Sequence, residues 1–170
     1  TPAIRQVLRF PTTRFVPSDW GSAMELMLDN NIVLDHIQRR EPFYELSRRA
    51  CLLGIVGEAN TYISVSMLTD LYYLLRKDFG SNGAQAMLEN NLSFLKLVSV
   101  TPEDAQVALR ARWNDFEDCL VARCAEKIGA DYIVTRNVKD FAASKVEAVT
   151  PEELLARLEQ QGFIYEEIDW

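Results

Sequence analysis

Histidine is almost missing from this chain: His36 is the only one in 170 residues. That excludes a His-based triad, a two-histidine acid–base pair and a His-rich zinc site within one chain. His36 lies near the end of a short helical pattern, so a surface or helix-terminal place is expected for it. Cysteine is scarce too. Cys51, Cys119 and Cys124 are odd in number and lack metal-site spacing. Cys124 falls on an apolar helical stripe and reads as a reduced core thiol. No apolar run approaches a membrane span, and no basic stretch leads into an apolar run with a cleavage site. A cytoplasmic protein with no membrane partner is therefore expected. Positive charge is also in deficit, with 18 Lys and Arg against 25 Asp and Glu, a net −7. This argues against broad nucleic-acid affinity through phosphate neutralisation. A carboxylate pocket filled by divalent cations is the exception, since the cation then holds the phosphate. If the chain is an enzyme, carboxylates or cysteines must carry the chemistry.

What is present is an ordinary globular composition, 48% hydrophobic and 25% charged, long enough for one domain with a sizeable core. Residues 1–23 stand apart. They hold Arg5, Arg9 and Arg14 against Asp19 alone, with Pro2, Pro11 and Pro17 interrupting any helix. They read as a non-domain segment (a tag, a fused partner peptide or an upstream extension). The domain is expected over residues 24–170, ending in an acidic, aromatic tail at Phe163–Trp170. From Met24 onward, strand and helix patterns alternate. Short strands rich in Ile, Val, Leu and Tyr are expected at Leu26–Leu28, Tyr62–Val65, Leu95–Val100, Tyr132–Thr135 and Val146–Val149.

Between them, apolar stripes predict helices over Pro42–Ala59 (Phe43, Leu46, Ala50, Leu53) and Ser66–Phe79 (Met67, Leu71, Leu74, Leu75). A later helix carries Phe116, Leu120, Cys124 and Ile128 four apart. Thr101-Pro-Glu-Asp104 and Thr150-Pro-Glu-Glu153 carry helix-start signals, and Gly80, Gly129 and Gly162 sit where helices should end. The alternation predicts an α/β three-layer sandwich with a mainly parallel sheet of roughly five strands.

In such a sheet ligands bind beyond the carboxyl ends of the strands. Asp29 follows the first strand, Asp70 opens the helix after the second, and Asp140 comes shortly after the strand ending at Thr135. Asp118 lies in the first turn of the helix leading into that strand. All four can converge on one edge. Carboxylates so placed repel one another unless a cation neutralises them, and an oxygen-only set suits Mg²⁺ or Mn²⁺. A water beside such an ion can attack a phosphodiester in line. Duller roles compete. Asn30 could cap a helix, Asp70 could be an ordinary first-turn acid, and Asp115 has the spacing of an N-cap. Asp35 reads as solvated and paired with Arg39. Arg39-Arg40 and Arg48-Arg49 read as solvated or helix-end charge, with an RNA path as the sharper alternative.

The motifs then resemble the PIN-domain family. Met24-Glu-Leu-Met-Leu-Asp-Asn-Asn-Ile-Val-Leu-Asp35 is similar to that family's opening strand and first acidic motif, with Asn30 in place of the common Thr. Tyr62-Ile-Ser-Val-Ser-Met-Leu-Thr-Asp-Leu-Tyr-Tyr73 resembles its second motif, with Asp70 in a position usually held by Glu. Asp115-Phe-Glu-Asp-Cys-Leu-Val-Ala122 matches the third, and Ala130-Asp-Tyr-Ile-Val-Thr-Arg-Asn-Val-Lys-Asp-Phe141 the last. The resemblance runs from Met24 to about Leu158. It implies a central first strand, a divalent-metal endoribonuclease acting on RNA, frequent homodimers, and VapC-like toxins with a small antitoxin partner. Asp29, Asp70 and Asp118 carry over as metal ligands, and Asn31 and Thr135 as supporting groups; from their places in the chain Asp140 is a further catalytic candidate that would compensate for a missing acid, and Asp115 and Asn137 are supporting candidates. Asn137 stands where the family often has Asp, and losing that carboxylate weakens metal binding.

Other readings fare less well. An aspartyl-nucleophile phosphohydrolase wants an acid two residues after Asp29, and Asn31 is there. A receiver-like domain wants an Asp after the third strand, and Thr101-Pro102 follows it. The remaining rival is a catalytically weak or inactive PIN-fold interaction module.

Overall fold

A computed structural model describes residues 23–162; the N-terminal segment before Ala23 and the tail from Phe163 lie outside the described residues. Five strands form one sheet: β1 (Met24–Leu28), β2 (Ala59–Ser64), β3 (Leu95–Val98), β4 (Tyr132–Val134) and β5 (Ala148–Val149). Their order is β3-β2-β1-β4-β5 and every pairing is parallel. Six helices accompany them: α1 (Asn30–Gln38), α2 (Tyr44–Ile55), α3 (Met67–Asn91), α4 (Pro102–Ala111), α5 (Phe116–Ile128) and α6 (Pro151–Gln160). A 3-10 turn, Val138–Phe141, leads from β4 towards β5. The expected α/β sandwich with a central first strand is what forms.

β1 is central because Leu26, Met27 and Leu28 can all be buried, with side chains alternating onto both faces. The chain winds from β1 through β2 to β3 in one direction and then places β4 and β5 on the other side of β1. The strand order therefore reverses between β1 and β4, and a crevice opens beyond their carboxyl ends. Leu28 pairs with Val134 in register, so Asp29 and Thr135 emerge side by side. At the edge, β3 keeps only Leu95 and Val98 buried and leaves Lys96 and Leu97 exposed. An edge strand does not bury both faces, which is where the expectation for this segment was too apolar.

Several local expectations shift. The second strand begins at Ala59, not within a helix ending there, and α2 stops at Ile55. Phe43 precedes α2 and is exposed, as are Leu74 and Phe116, so the apolar stripes are narrower than their spacing suggested. Gly80 does break its helix, at φ 68° and ψ 175°, yet a second helical arm follows at once over 81–91. Ser81-Asn82-Gly83 reads locally as a turn, yet it opens that arm, in which Ala84 is buried. Both Thr-Pro starts form complete capping boxes, Thr101 with Asp104 and Thr150 with Glu153. Gly129 ends α5 in the left-handed conformation that a residue without Cβ adopts freely. The three cysteines are buried and unpaired by disulfides. No helix among the described residues is long and apolar enough to cross a membrane.

Candidate active site

Asp29 closes β1 and opens α1. It is the helix N-cap, its Oδ1 accepting the Asn30 N–H at 2.7 Å, so the cap is Asp29 and not Asn30. Its other oxygen, Oδ2, accepts from Asn31 Nδ2 and from Thr135 Oγ1, each at 2.7 Å. Thr135 is fully buried, and its hydroxyl also receives the Asn137 N–H at 3.0 Å. Asn31 in turn accepts the Arg136 N–H at 3.3 Å. This network ties the ends of β1 and β4 together around one carboxylate that is only 6% exposed. Burial pushes the Asp29 carboxyl above its usual range; the bonds from Thr135, Asn30 and Asn31 and the charge of Arg136 oppose that without cancelling it.

An open cleft of about 520 Å³ lies at this point, and its acids come from four different segments of the chain. Asp29 follows β1, Asp70 is in the first turn of α3, Asp115 and Asp118 are at the start of α5, and Asp140 is in the 3-10 turn. Asn31 and Asn137 line it as well, while Thr135 supports it from within. Asp115 is both a lining residue and the N-cap of α5, its Oδ1 accepting the Glu117 and Asp118 N–H groups at 2.8 and 3.3 Å.

Asn30, Tyr73 and Glu117 also line the cleft without having been singled out as site residues in the sequence, and Arg40, there read mainly as solvated charge with an RNA path as the alternative, lines it too. Glu117 was visible as an acid inside Asp115-Phe-Glu-Asp118. Side chains of a first helical turn splay to different sides, so spacing alone did not send it into the cleft. Its carboxylate is the acceptor of the Asn30 side-chain amide. Asp35, expected on the surface beside Arg39, is instead fully buried against Arg136 and Ser47. His36 sits in the last turn of α1, half-buried, with its ring edge-on to Phe94 at 6.1 Å.

The crowding of acids changes their proton affinity. Glu117 is pushed up to about 7 by burial and then by the charges of Asp70, Asp29 and Asp115. Asp118 is also pushed up to about 7, by burial and then by Asp29, Asp115, Asp140 and Glu117. Such shifts arise where carboxylates are buried and, in addition, crowd one another without a counterion. The donor set is wholly oxygen, and the Asn30 amide oxygen is buried with no hydrogen-bond partner. Among the described residues no three acidic, His or Cys side chains are gathered tightly enough to enclose an ion directly. Oxygen donors at this looser spacing suit a cation that keeps part of its water shell, as Mg²⁺ does.

The comparisons agree with this architecture. The VapBC2 complex of Rickettsia felis, bound to a DNA fragment from its promoter, superimposes with a TM-score of 0.56 at 22% identity. It covers 75% of this chain and 98% of that one. VapC20 of Mycobacterium tuberculosis, a sarcin–ricin loop cleaving toxin, gives 0.57 at 16%, over 71% and 95%. A toxin–antitoxin complex from Klebsiella pneumoniae gives 0.55 at 22%, over 76% and 98%. At these identities the likeness establishes a shared fold. No curated protein matches the sequence significantly. The family model of the PIN domain matches residues 25–139, which carry the first three acidic motifs and Asn137, and the chain belongs to the PIN-domain family.

Proposed function

We propose that this protein is a divalent-metal-dependent endoribonuclease that hydrolyses RNA phosphodiester bonds, and that it is the toxin of a toxin–antitoxin pair. The observation that carries the reading is the meeting of Asp29, Asp70, Asp118 and Asp140 in one cleft at the point where the strand order reverses. Membership of the PIN-domain family and the fold shared with a sarcin–ricin loop cleaving toxin support it.

In this proposal Asp29, Asp70 and Asp118 hold Mg²⁺ or Mn²⁺, with Asp140 completing the acidic wall. Held there, the ion would offset the carboxylate charge and supply Lewis-acid chemistry for hydrolysis of a phosphodiester. The chain's own contribution is alignment. Thr135 and Asn31 fix the Asp29 carboxylate, and Asp115 caps α5 so that Glu117 and Asp118 sit at the cleft. Asn137 offers an amide where the family often has an acid, and its backbone N–H steadies Thr135. The reading further assigns a cytoplasmic setting, a homodimer and a small antitoxin partner.

RNA cleavage measured with Mg²⁺, with Mn²⁺ and with EDTA, for the wild type and for Asp29→Asn, tests the proposal. Cleavage that survives EDTA, or that Asp29→Asn leaves unchanged, would sink it. A second reading, an inactive interaction module, is favoured by Asn137 and by the loose spacing of the acids. A folded wild type that cleaves no RNA with either metal would select it.

A further inference from the structure

Two polar side chains of the cleft, Tyr73 and Arg40, have no part in the proposed metal binding or in fixing its carboxylates. Tyr73 and Asp70 lie three residues apart on α3 and so share a face, yet Tyr73 is 57% exposed where the cleft opens. Its ring is steadied all the same. Tyr72 meets it edge-on at 5.9 Å and 69°, and the Arg76 guanidinium stands 5.8 Å from its centroid. Arg40, from the turn after α1, is the one cationic side chain among the described lining residues. Its charge reaches buried Asp35, but it forms no ion pair among the described residues. A guanidinium left unpaired in a cleft of six carboxylates is available to an outside anion. An oriented, solvent-facing aromatic ring is a stacking platform for a base.

We infer that Tyr73 and Arg40 form a nucleotide-binding subsite beside the acidic cluster: Tyr73 stacks an unpaired base, and Arg40 holds the phosphate of that nucleotide. This rests on the nuclease reading and narrows it. A base inside a duplex presents no free face to Tyr73, so the RNA must offer an unpaired nucleotide next to the bond that is cut.

The test uses a single-stranded oligoribonucleotide whose cleavage site is first mapped with the wild type. Tyr73→Ala should raise KM roughly tenfold with kcat within about twofold, as loss of one stacked base predicts. Tyr73→Phe should recover most of that loss. An abasic residue at the stacked position should cost the wild type the same factor and cost Tyr73→Ala nothing more, because the two changes remove one contact. Arg40→Ala should raise KM independently of the base. Anisotropy of the labelled oligonucleotide on Asp29→Asn, alone and combined with Tyr73→Ala or Arg40→Ala, reads the same affinities without turnover. An unmoved KM, abasic and Tyr73→Ala costs that simply add, or equal cleavage of the same sequence in a duplex would overturn the inference. If the wild type proves inactive, the nuclease reading falls, and the anisotropy series still decides whether these two residues grip RNA.

Discussion

The Arg136 guanidinium meets the Asp35 carboxylate at 3.0 Å in a pair whose acidic partner is wholly excluded from solvent. Ser47 of α2 donates to the same carboxylate oxygen at 3.1 Å, and Arg136 lies over the Phe43 ring at 4.0 Å. Arg136 stands between Thr135 and Asn137, so this pair ties α1 and α2 to the turn that holds Asp29 in place.

Removing one partner of a buried pair strands the other without compensation. Arg136→Met should therefore cost about 3 kcal/mol, towards the low end for buried pairs because Arg136 is 29% exposed. Urea unfolding measures this. The double variant Asp35→Asn/Arg136→Met should recover part of the loss, since no unpaired charge then remains. Strictly additive losses would count against the coupling.

The raised carboxyls give metal-free stability a definite sign. Glu117 and Asp118 hold protons to about pH 7 in the folded state, whereas the unfolded chain releases them near pH 4 to 4.5. Between those limits the native state binds more protons, so stability should fall as pH rises from about 4 to 7 and then level off. Thermal unfolding in EDTA should show a lower Tm at pH 7.5 than at pH 5.5. Glu117→Gln should flatten the trend, and a divalent cation should stabilise more at pH 7.5 than at pH 5.5. A slope that Glu117→Gln leaves intact would assign it to other groups.

Thr135 acts on Asp29 through a 2.7 Å hydrogen bond from inside the core. Loss of a partner that orients a metal-binding group typically weakens affinity by about 10- to 100-fold. Thr135→Val should show this in Mn²⁺ titrations, while Thr135→Ser, which keeps the hydroxyl, should bind nearly as well as the wild type. Equal affinity for all three proteins would deny Thr135 that role.

Gly54 marks a close approach of α2 to β2. A Cβ there would stand 2.2 Å from Thr61 Oγ1 and 2.9 Å from its methyl. Thr61 would have to move and give up its 2.8 Å bond to the Phe94 carbonyl. Gly54→Ala should cost about 2 kcal/mol through overpacking, despite the better helix propensity of Ala. Its expected signature is a lower urea midpoint with metal affinity unchanged, since the acidic cleft is elsewhere. Gly54→Ala combined with Thr61→Ala, which removes both the hydroxyl and the methyl, should recover part of the loss.

Much of this was legible in local sequence. The Thr-Pro starts at Thr101 and Thr150, the Asp115 cap and the Gly129 stop are set by neighbours a few residues away, and they appear where the sequence placed them. Features that depend on distant partners were not legible. Asp35 looked like a surface acid because Arg136, a hundred residues on, is invisible to local spacing. The helical arm over 81–91 was hidden by a turn-like Ser81-Asn82-Gly83. Phe43 and Leu74 fitted apolar stripes that the packing does not bury.

By itself the sequence determined the alternation of strands and helices and the acids at strand ends and helix starts. Those are consequences of periodicity, capping and side-chain type, all of which act over a few residues. Only the tertiary structure decided which acids crowd together, that Glu117 joins them while Asp35 turns inward, and that Arg40 and Tyr73 stand at the same opening. Convergence depends on where the strand order reverses, and proton affinity on the summed charge and burial of groups from separate segments. Neither quantity exists until the chain has folded.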